Sequence, residues 1–362
     1  MHSVQLANLQ VLRGIAAFLI VGYHLQPLLN STYGQDLHAR FAVIGVDIFF
    51  VLSGFVMFYS NRAFARDSVT FLVERFVRIV PLYWLATLAM IAFFLVGFQP
   101  VGLHYLSGRV VAESLAFIPS LFPDGRHDLI VSVGWTLTYE LFFYVAFALT
   151  FAMRSQIRSL IVLTAAFGAL ILVGRAMAPL PYLAAYFTAP IILEFLYGAA
   201  LAILYDRFAG PVPSWVPRVG VALLALGLGL SLVLDAFGLA TPNKSEARFL
   251  ILGLPALFIV AGALAMEKGG WRARQQSILL LGAASYALYL FHPLILHIVV
   301  KASALALPFG GAPGALAAAL LAIGASVAGA IVIHRVVELP LMRRGKGWIG
   351  ASRRVGMKQA SA

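Results

Sequence analysis

Two polar side chains in the first apolar stretch of the chain, Arg13 and His24, are the first candidates for chemistry. Their eleven-residue separation corresponds on an α-helix to ~1100° of rotation and ~16 Å of rise, so the two side chains lie within ~20° of one another. One helix face would therefore carry a cation at one depth and a titratable base at another. Such groups are functional candidates, because placing an Arg at the centre of a spanning helix costs ~2.5 kcal/mol of insertion free energy even on a mild hydrophobicity scale. The alternative is that Arg13 snorkels to the headgroups and His24 hydrogen-bonds a neighbouring helix.

The composition indicates a polytopic integral membrane protein. The chain has 362 residues, of which 62% are hydrophobic and 11% are charged, whereas a globular protein carries about a quarter charged residues. It has no cysteine, which excludes disulfides, thiolate catalysis and Cys-ligated metal sites. The net charge of +12 comes from basic residues in short loops and in the C-terminal tail. This pattern is typical of membrane topology and of attraction to anionic lipids rather than of nucleic-acid binding.

Ten apolar segments have the ~20 residues that a helix needs to cross a bilayer. We therefore predict an all-α helical bundle. The predicted spans are 8–30, 41–60, 79–97, 131–153, 157–174, 183–205, 217–236, 249–267, 276–300 and 313–335.

The Lys and Arg residues are unevenly distributed between alternate loops. If the N-terminus is inside, the inner loops and the tail hold more than twice as many as the outer loops, as the positive-inside rule requires. Both termini are therefore predicted to be cytoplasmic. We expect one transmembrane domain over residues 1–340, a basic cytoplasmic tail over 341–362, and no fused extracytoplasmic domain.

Five ionisable residues on five different spans are predicted to lie toward the outer half of the membrane. Asp47 is expected at the depth of His24, and a carboxylate that orients an imidazole is what a general base needs to deprotonate a hydroxyl. The alternatives are a cap or a neighbouring ion pair for Asp47, a packing role for His292 and pairing of Glu194 with an arginine. The five residues are His24, Asp47, Glu140, Glu194 and His292.

The inner half of the membrane is predicted to contain arginines instead. Arg75 and Arg78 are three residues apart at the start of the third span, so they share a helix face, and Arg13 is expected at a similar inner depth. Guanidinium groups match phosphate oxygens, which suits a polyphosphate ligand. The alternative is positive-inside anchoring. No metal site is predicted, because His292 and His297 point about 140° apart on a helix.

The longest connection, 98–130, falls on the predicted outer side. Its apolar middle, VVAESLAFIPSLF, is too short to cross the membrane and is expected to lie along the surface or dip into it. A long loop of this kind is either part of a substrate cleft or a surface flap without a role.

Six motifs follow one another along the chain: LQVLRGIAAFLIVGYH, GVDIFFVLSGFVM, RFVRIVPLYW, SVGWTLTYELFFY, SYALYLFHPLIL and HRVVELPLMRR. In this order they resemble the motifs of the membrane acyltransferase-3 family, and the likeness covers nearly the whole chain. The family repeats an Arg, ten residues and a His in its first span, as Arg13 and His24 do here. This chain departs from the family pattern in the fourth span, where Thr138-Tyr139-Glu140 replaces a Ser with two acidic residues.

The resemblance implies transfer of an acyl group, usually acetyl from acetyl-CoA, to a hydroxyl of a saccharide or another acceptor. The motif sequences most resemble those of the branch that decorates bacterial exopolysaccharides. This resemblance implies that the protein is located in the bacterial inner membrane. It implies an essential His24 and marks Asp47 as a motif residue; the predicted catalytic residues are His24, Asp47 and Glu140. Three residues are assigned to the CoA donor: Arg13, Arg75 and Arg78. Four are assigned to substrate binding: Trp135, Tyr139, Glu194 and His292.

Acyl-CoA would then be a donor substrate, with no permanently bound cofactor and no metal. The expected partners are a polysaccharide or saccharide-lipid acceptor, membrane lipids and polysaccharide-assembly proteins. Direct transfer and a transient acyl-imidazole on His24 both stay open. Two other functions also stay open: an acyltransferase for a lipid or small-molecule acceptor, and a proton-coupled transporter. A transporter would more often have paired broken helices and a repeated half, and the sequence indicates neither.

Overall fold

The computed structural model describes residues 6–62, 67–100, 102–208, 210–240, 246–307, 309–345 and 347. Within this part of the chain, ten helices are long and apolar enough to cross a membrane, which confirms the predicted number. The basic tail predicted for 341–362 lies outside the described residues from 348 onward.

Across the described residues, the bundle contains fourteen α-helices, four short 3₁₀ turns and one π-helical turn. The 3₁₀ turns are Arg40–Val43, Ser132–Gly134, Phe151–Met153 and Pro190–Ile192, and the π turn is His334–Glu338. The α-helices are α1 (Ala7–Tyr33), α2 (Ile44–Ser60), α3 (Ser68–Leu95), α4 (Gly108–Leu115), α5 (Trp135–Leu149), α6 (Gln156–Ala176), α7 (Tyr182–Phe187), α8 (Leu193–Arg207), α9 (Val216–Ala236), α10 (Arg248–Ile251), α11 (Gly253–Lys268), α12 (Gln276–Ala283), α13 (Ser285–Ala306) and α14 (Gly311–Ile333).

Helix α3 begins eleven residues before the predicted start of the third span at 79. The side chain of Asp67 accepts a hydrogen bond from the backbone N–H of Thr70 at 2.8 Å, so it caps the helix and satisfies one of its free N–H groups. Arg75 and Arg78 therefore lie inside the helix.

Three predicted spans are interrupted in the structure. The ninth divides at Ala284 into α12 and α13, and only Ser285–Ala306 is long enough to span. The sixth is divided between α7 and α8 by the turn that begins at Pro190, a residue that cannot donate a backbone hydrogen bond to the preceding turn. The eighth is divided at Leu252 between α10 and α11. The sequence had given no indication of these three breaks.

The long connection between α3 and α5 is folded and packs against these two helices. It contains α4 and two antiparallel two-residue strands, β1 (Ser120–Leu121) and β2 (His127–Asp128), the strands that an all-α prediction missed. Tyr83 of α3 donates to the carbonyl of Ser114 at 3.0 Å, and Thr138 of α5 donates to that of Phe117 at 3.0 Å. The apolar middle of this connection is thus fixed against two spanning helices.

Helices α2 and α8 cross with almost no space between their backbones. A Cβ added to Gly54 would lie 1.9 Å from the carbonyl oxygen of Phe195, and one added to Gly198 would lie 1.9 Å from that of Val51. Small residues permit this kind of approach between membrane helices. The crossing fixes α2, which carries Asp47, against α8, which carries Glu194.

We expect Gly198→Ala to destabilise the bundle by about 2 kcal/mol or more, because the new methyl group can be accommodated only by moving backbone atoms. Thermal unfolding in detergent micelles would measure the change. The matched control is Gly229→Ala in α9, where an added Cβ meets nothing within 4 Å. Equal melting temperatures for the two variants would contradict the tight crossing.

Candidate active site

His24 and His292 form a pair inside the bundle. The Nε2 atom of His292 lies 3.1 Å from Nδ1 of His24, and the ring centroids are 5.0 Å apart. His292 is fully buried in α13 and His24 is half-buried in α1. The helix face that carries Arg13 and His24 is therefore joined, through His24, to His292, a residue that had been assigned to substrate binding.

The hydrogen bonds of this pair define the tautomer of each ring. Nδ1 of His292 lies 3.0 Å from the carbonyl oxygen of Leu288, and Nδ1 of His24 lies 3.0 Å from that of Ile20. A carbonyl oxygen only accepts, so each Nδ1 carries the proton when the rings are neutral. Nε2 of His292 is then the acceptor for His24 Nδ1–H. Nε2 of His24 keeps a free lone pair and has no hydrogen-bond partner among the described residues.

This arrangement suits a general base. When His24 takes a proton at Nε2, its Nδ1–H can still donate to His292 and to the Ile20 carbonyl, so the cationic ring stays oriented and stabilised. The orienting acceptor is an imidazole, in the position where the sequence predicted the carboxylate of Asp47.

The predicted contact between Asp47 and His24 is wrong. Both carboxylate oxygens of Asp47 accept from Arg248, at 3.0 Å from Nε and 2.8 Å from Nη2. Both side chains are fully buried. A bidentate ion pair of this kind is the geometry in which a guanidinium best compensates a buried carboxylate. Of the alternatives considered from the sequence, pairing with a neighbouring cation is the one found.

Three other predicted site residues lie around this ion pair. Glu194 is fully buried and interacts electrostatically with Asp47 and Arg248. The Trp135 ring lies 6.0 Å from the Arg248 guanidinium, within the range of a cation–π contact. The hydroxyl of Tyr139 instead donates to the carbonyl of Tyr186 at 2.6 Å, so this side chain connects α5 to α7.

A cavity of about 120 Å³ lies between α1, α2, α3, α5 and α13. Arg13, Arg78 and Glu140 line it, so the structure brings together three of the predicted site residues. Most of the remaining wall is apolar. Arg75 is not among the residues that line the cavity; it is buried, with its guanidinium 5.4 Å from the ring of Phe71.

Glu140 is held by two hydroxyl groups in the cavity wall. Ser53 donates to its Oε1 at 2.8 Å, and Tyr144 donates to the same oxygen. Its carboxylate also interacts electrostatically with Arg13. Glu140 has no hydrogen bond to His24, so the structure places it on the arginine side of the site.

The last motif of the sequence, HRVVELPLMRR, interacts with Arg13 of the cavity. Nδ1 of His334 lies 2.7 Å from a carboxylate oxygen of Glu338, a hydrogen bond within the π-helical turn that follows α14. Such turns are frequent at functional sites. Glu338 also interacts electrostatically with Arg13. Two carboxylates, from α5 and from this turn, therefore offset the positive charge at the cavity.

Sequence reasoning missed several of these residues. Arg248 was not among the predicted site residues, although a buried Asp47 requires a cation and Arg248 directly precedes the predicted span 249–267. Ser53 and Tyr144 gave no signal, because hydroxyl residues are common in membrane helices. The signal for the histidine pair was present in the two motifs, but no spacing rule connects positions 24 and 292.

The fold and the site together define the class of protein: a multi-pass helical membrane protein whose histidine pair and arginine-lined cavity lie inside the bundle. The acyltransferase domain of the acyltransferase-3 family matches residues 6–335. The chain therefore belongs to this family, as its motifs indicated.

Curated relatives agree with this assignment. The chain is 36% identical to the exopolysaccharide production protein ExoZ of Rhizobium meliloti (strain 1021), over 88% of this chain and 95% of the relative. It is 28% identical to the acyltransferase MdmB of Streptomyces mycarofaciens, over 94% of this chain and 92% of the relative. Protein 2 in the picA locus of Rhizobium radiobacter is 29% identical, over 46% of this chain and 92% of that protein. No solved structure matches the chain.

We expect Arg248→Met to be more destabilising than Asp47→Asn. Loss of Arg248 leaves the buried carboxylates of Asp47 and Glu194 without their cation, which costs about 3–5 kcal/mol, whereas Asp47→Asn leaves Arg248 beside Glu194. Thermal unfolding of the purified variants in detergent would rank them. The control is Arg175→Met, which breaks an exposed pair with Glu246 and should cost less than about 1 kcal/mol. The opposite order for the two buried variants would contradict the charge arrangement.

Proposed function

We propose that the protein transfers an acyl group, most simply acetyl, from acyl-CoA to a hydroxyl of a cell-surface or exported polysaccharide. The observation that carries this proposal is the histidine pair. It leaves Nε2 of His24 available as a base inside a chain of an acyltransferase family. The family assignment also favours acyl transfer over the proton-coupled transporter, even though three spans are broken.

The donor is proposed to occupy the arginine-lined cavity. Arg13 and Arg78 offer guanidinium groups to the CoA phosphates, and Arg75 supports them from the next turn of α3. The largely apolar wall suits a pantetheine arm and an acyl group. The rise of ~16 Å from Arg13 to His24 allows the phosphates to remain at the arginines while the thioester approaches the base.

The proposed reaction is a direct transfer. Nε2 of His24 takes the proton of the acceptor hydroxyl, and the oxygen attacks the thioester carbonyl carbon. The C–S bond breaks as the C–O bond forms, and the thiolate of CoA takes the proton from His24 on leaving. His292 orients the His24 ring and accepts the hydrogen bond of its Nδ1–H throughout. The step needs no metal and no permanently bound cofactor.

The acceptor is proposed to be a polysaccharide or a saccharide-lipid precursor, since one relative is an exopolysaccharide production protein. A lipid or small-molecule hydroxyl is the second candidate. The chain also aligns, over 94% of its length, with MdmB, whose name says that it is an acyltransferase but does not mention a polysaccharide. We further propose the bacterial inner membrane, with both termini cytoplasmic, the donor entering from the cytoplasm and the acceptor from outside. Polysaccharide-assembly proteins would be partners.

His24→Ala should lower the acylation rate by at least about 10²-fold, because it removes the general base. His292→Phe should lower kcat by at least about tenfold with little change in the KM for donor. His292→Gln should recover part of this loss, because its amide oxygen can accept from His24 Nδ1–H. CoA thiol release and mass spectrometry of the surface polysaccharide would measure these effects.

The control for the histidine variants is His297→Gln, on the same helix but packed against Phe98, which should keep the wild-type rate. Near-normal acylation by His24→Ala protein that is inserted in the membrane would refute the assignment of the base. Equal rates for His292→Phe and His292→Gln would remove the orienting role.

Arg78→Glu should weaken acetyl-CoA binding by at least about tenfold, because a carboxylate would then face the phosphates. Arg75→Glu should have a smaller effect, since Arg75 does not line the cavity. Calorimetry with purified protein would measure both. The control is Arg158→Glu, which reverses an exposed arginine at the start of α6. An unchanged affinity in Arg78→Glu would exclude the cavity as the donor site.

A further inference from the structure

Tyr289 separates the cavity from the histidine pair. Its ring lines the cavity, and the same ring lies 6.2 Å, centroid to centroid, from the ring of His292. His292 follows Tyr289 by three residues in α13, so the two side chains share a helix face and succeed one another along it. Neither His24 nor His292 lines the cavity.

The ring of Tyr289 is fixed at both its face and its hydroxyl. Phe49 of α2, another residue of the cavity wall, meets it edge to face at 5.8 Å. Its hydroxyl lies 2.9 Å from the hydroxyl of Thr136 and donates to the carbonyl of Val133 at 2.9 Å. Tyr289 is 5% exposed. A side chain bound in this way is a rigid wall element rather than a freely rotating one.

The position of the Tyr289 ring limits the space that is available to the acyl end of the donor. If the CoA phosphates bind at Arg13 and Arg78, the acyl group is at the far end of the arm and must pass Tyr289 to approach His24. The mechanism assigns no proton or charge to Tyr289, whose hydroxyl is occupied by Thr136 and Val133. What remains for its ring is to limit the space beside the thioester.

We propose that Tyr289, anchored by Thr136, is the residue that determines which acyl groups are accepted, restricting the donor to short chains such as acetyl. This inference rests on the proposed function, because it takes the cavity as the acyl-CoA site. One methylene in an apolar pocket changes selectivity by 10–200-fold. Tyr289→Ala removes a whole phenol ring, so it should leave enough space for longer acyl chains.

The test compares the binding of acetyl-CoA, butyryl-CoA and hexanoyl-CoA by calorimetry in detergent, in a His24→Ala background that prevents turnover. The unsubstituted Tyr289 protein should bind acetyl-CoA most tightly. Tyr289→Ala should raise the affinity for hexanoyl-CoA relative to acetyl-CoA by at least about tenfold. Thiol release by the same Tyr289 variants with an intact His24 should change its chain-length preference in the same direction.

Two further variants test the anchor without opening a large void. Tyr289→Phe and Thr136→Val each remove the hydrogen bond between the two hydroxyls. Each should raise the hexanoyl-to-acetyl ratio by about threefold, and their effects should not add. These variants decide the question if Tyr289→Ala protein does not fold.

Met57→Ala is the control, because Met57 lines the same cavity eight residues and ~12 Å farther along α2 than Phe49. It should leave the chain-length ratio within twofold. A wild-type ratio in both Tyr289→Ala and Tyr289→Phe would overturn the proposal while leaving the donor site intact. If the unsubstituted protein binds none of the three thioesters, the donor site of the proposed function fails, and the role of Tyr289 fails with it.

Discussion

The lack of water inside a bilayer is the constraint on which this structure depends. Every buried polar group must find its partner within the bundle, because no solvent replaces a missing one. Asp47 is the most demanding case, and Arg248 meets its requirement with two parallel hydrogen bonds between fully buried side chains. This pair joins α2 to α10. The close crossing of α2 and α8 then brings Glu194 to the same place, so the charges define how three segments assemble.

The same constraint explains why the imidazoles are arranged as a chain of acceptors. In α1 and α13, the Nδ1–H of each histidine is directed to a carbonyl of the preceding turn. His24 gains a second acceptor from His292, and its Nε2 is left with no proton. A base thus arises from hydrogen bonds that the helices provide themselves, without a carboxylate beside it. Asp47 contributes by fixing α2, the helix that also forms one wall of the cavity.

The site consists of two compartments with different chemistry. Guanidinium groups, offset by Glu140 and Glu338, give one compartment a positive but balanced character, which suits phosphates. The imidazole pair occupies the other, and Tyr289 lies between them. The family match over residues 6–335 includes the five helices that line the cavity or carry the histidine pair, α1, α2, α3, α5 and α13. A two-compartment site is physically consistent with a reaction that joins a charged donor to a neutral hydroxyl.

The sequence by itself determined the helical class, the ten spans, the family and the shared face of Arg13 and His24. Hydrophobic length, local periodicity and motif order carry that information, since each depends on residues close together in the chain. Only the tertiary structure decided that His24 is paired with His292, that Asp47 belongs to Arg248, and that Glu140 lies with the arginines. Those contacts join residues up to 268 positions apart. They depend on how helices pack and rotate, which the depth of a residue in its own span does not define.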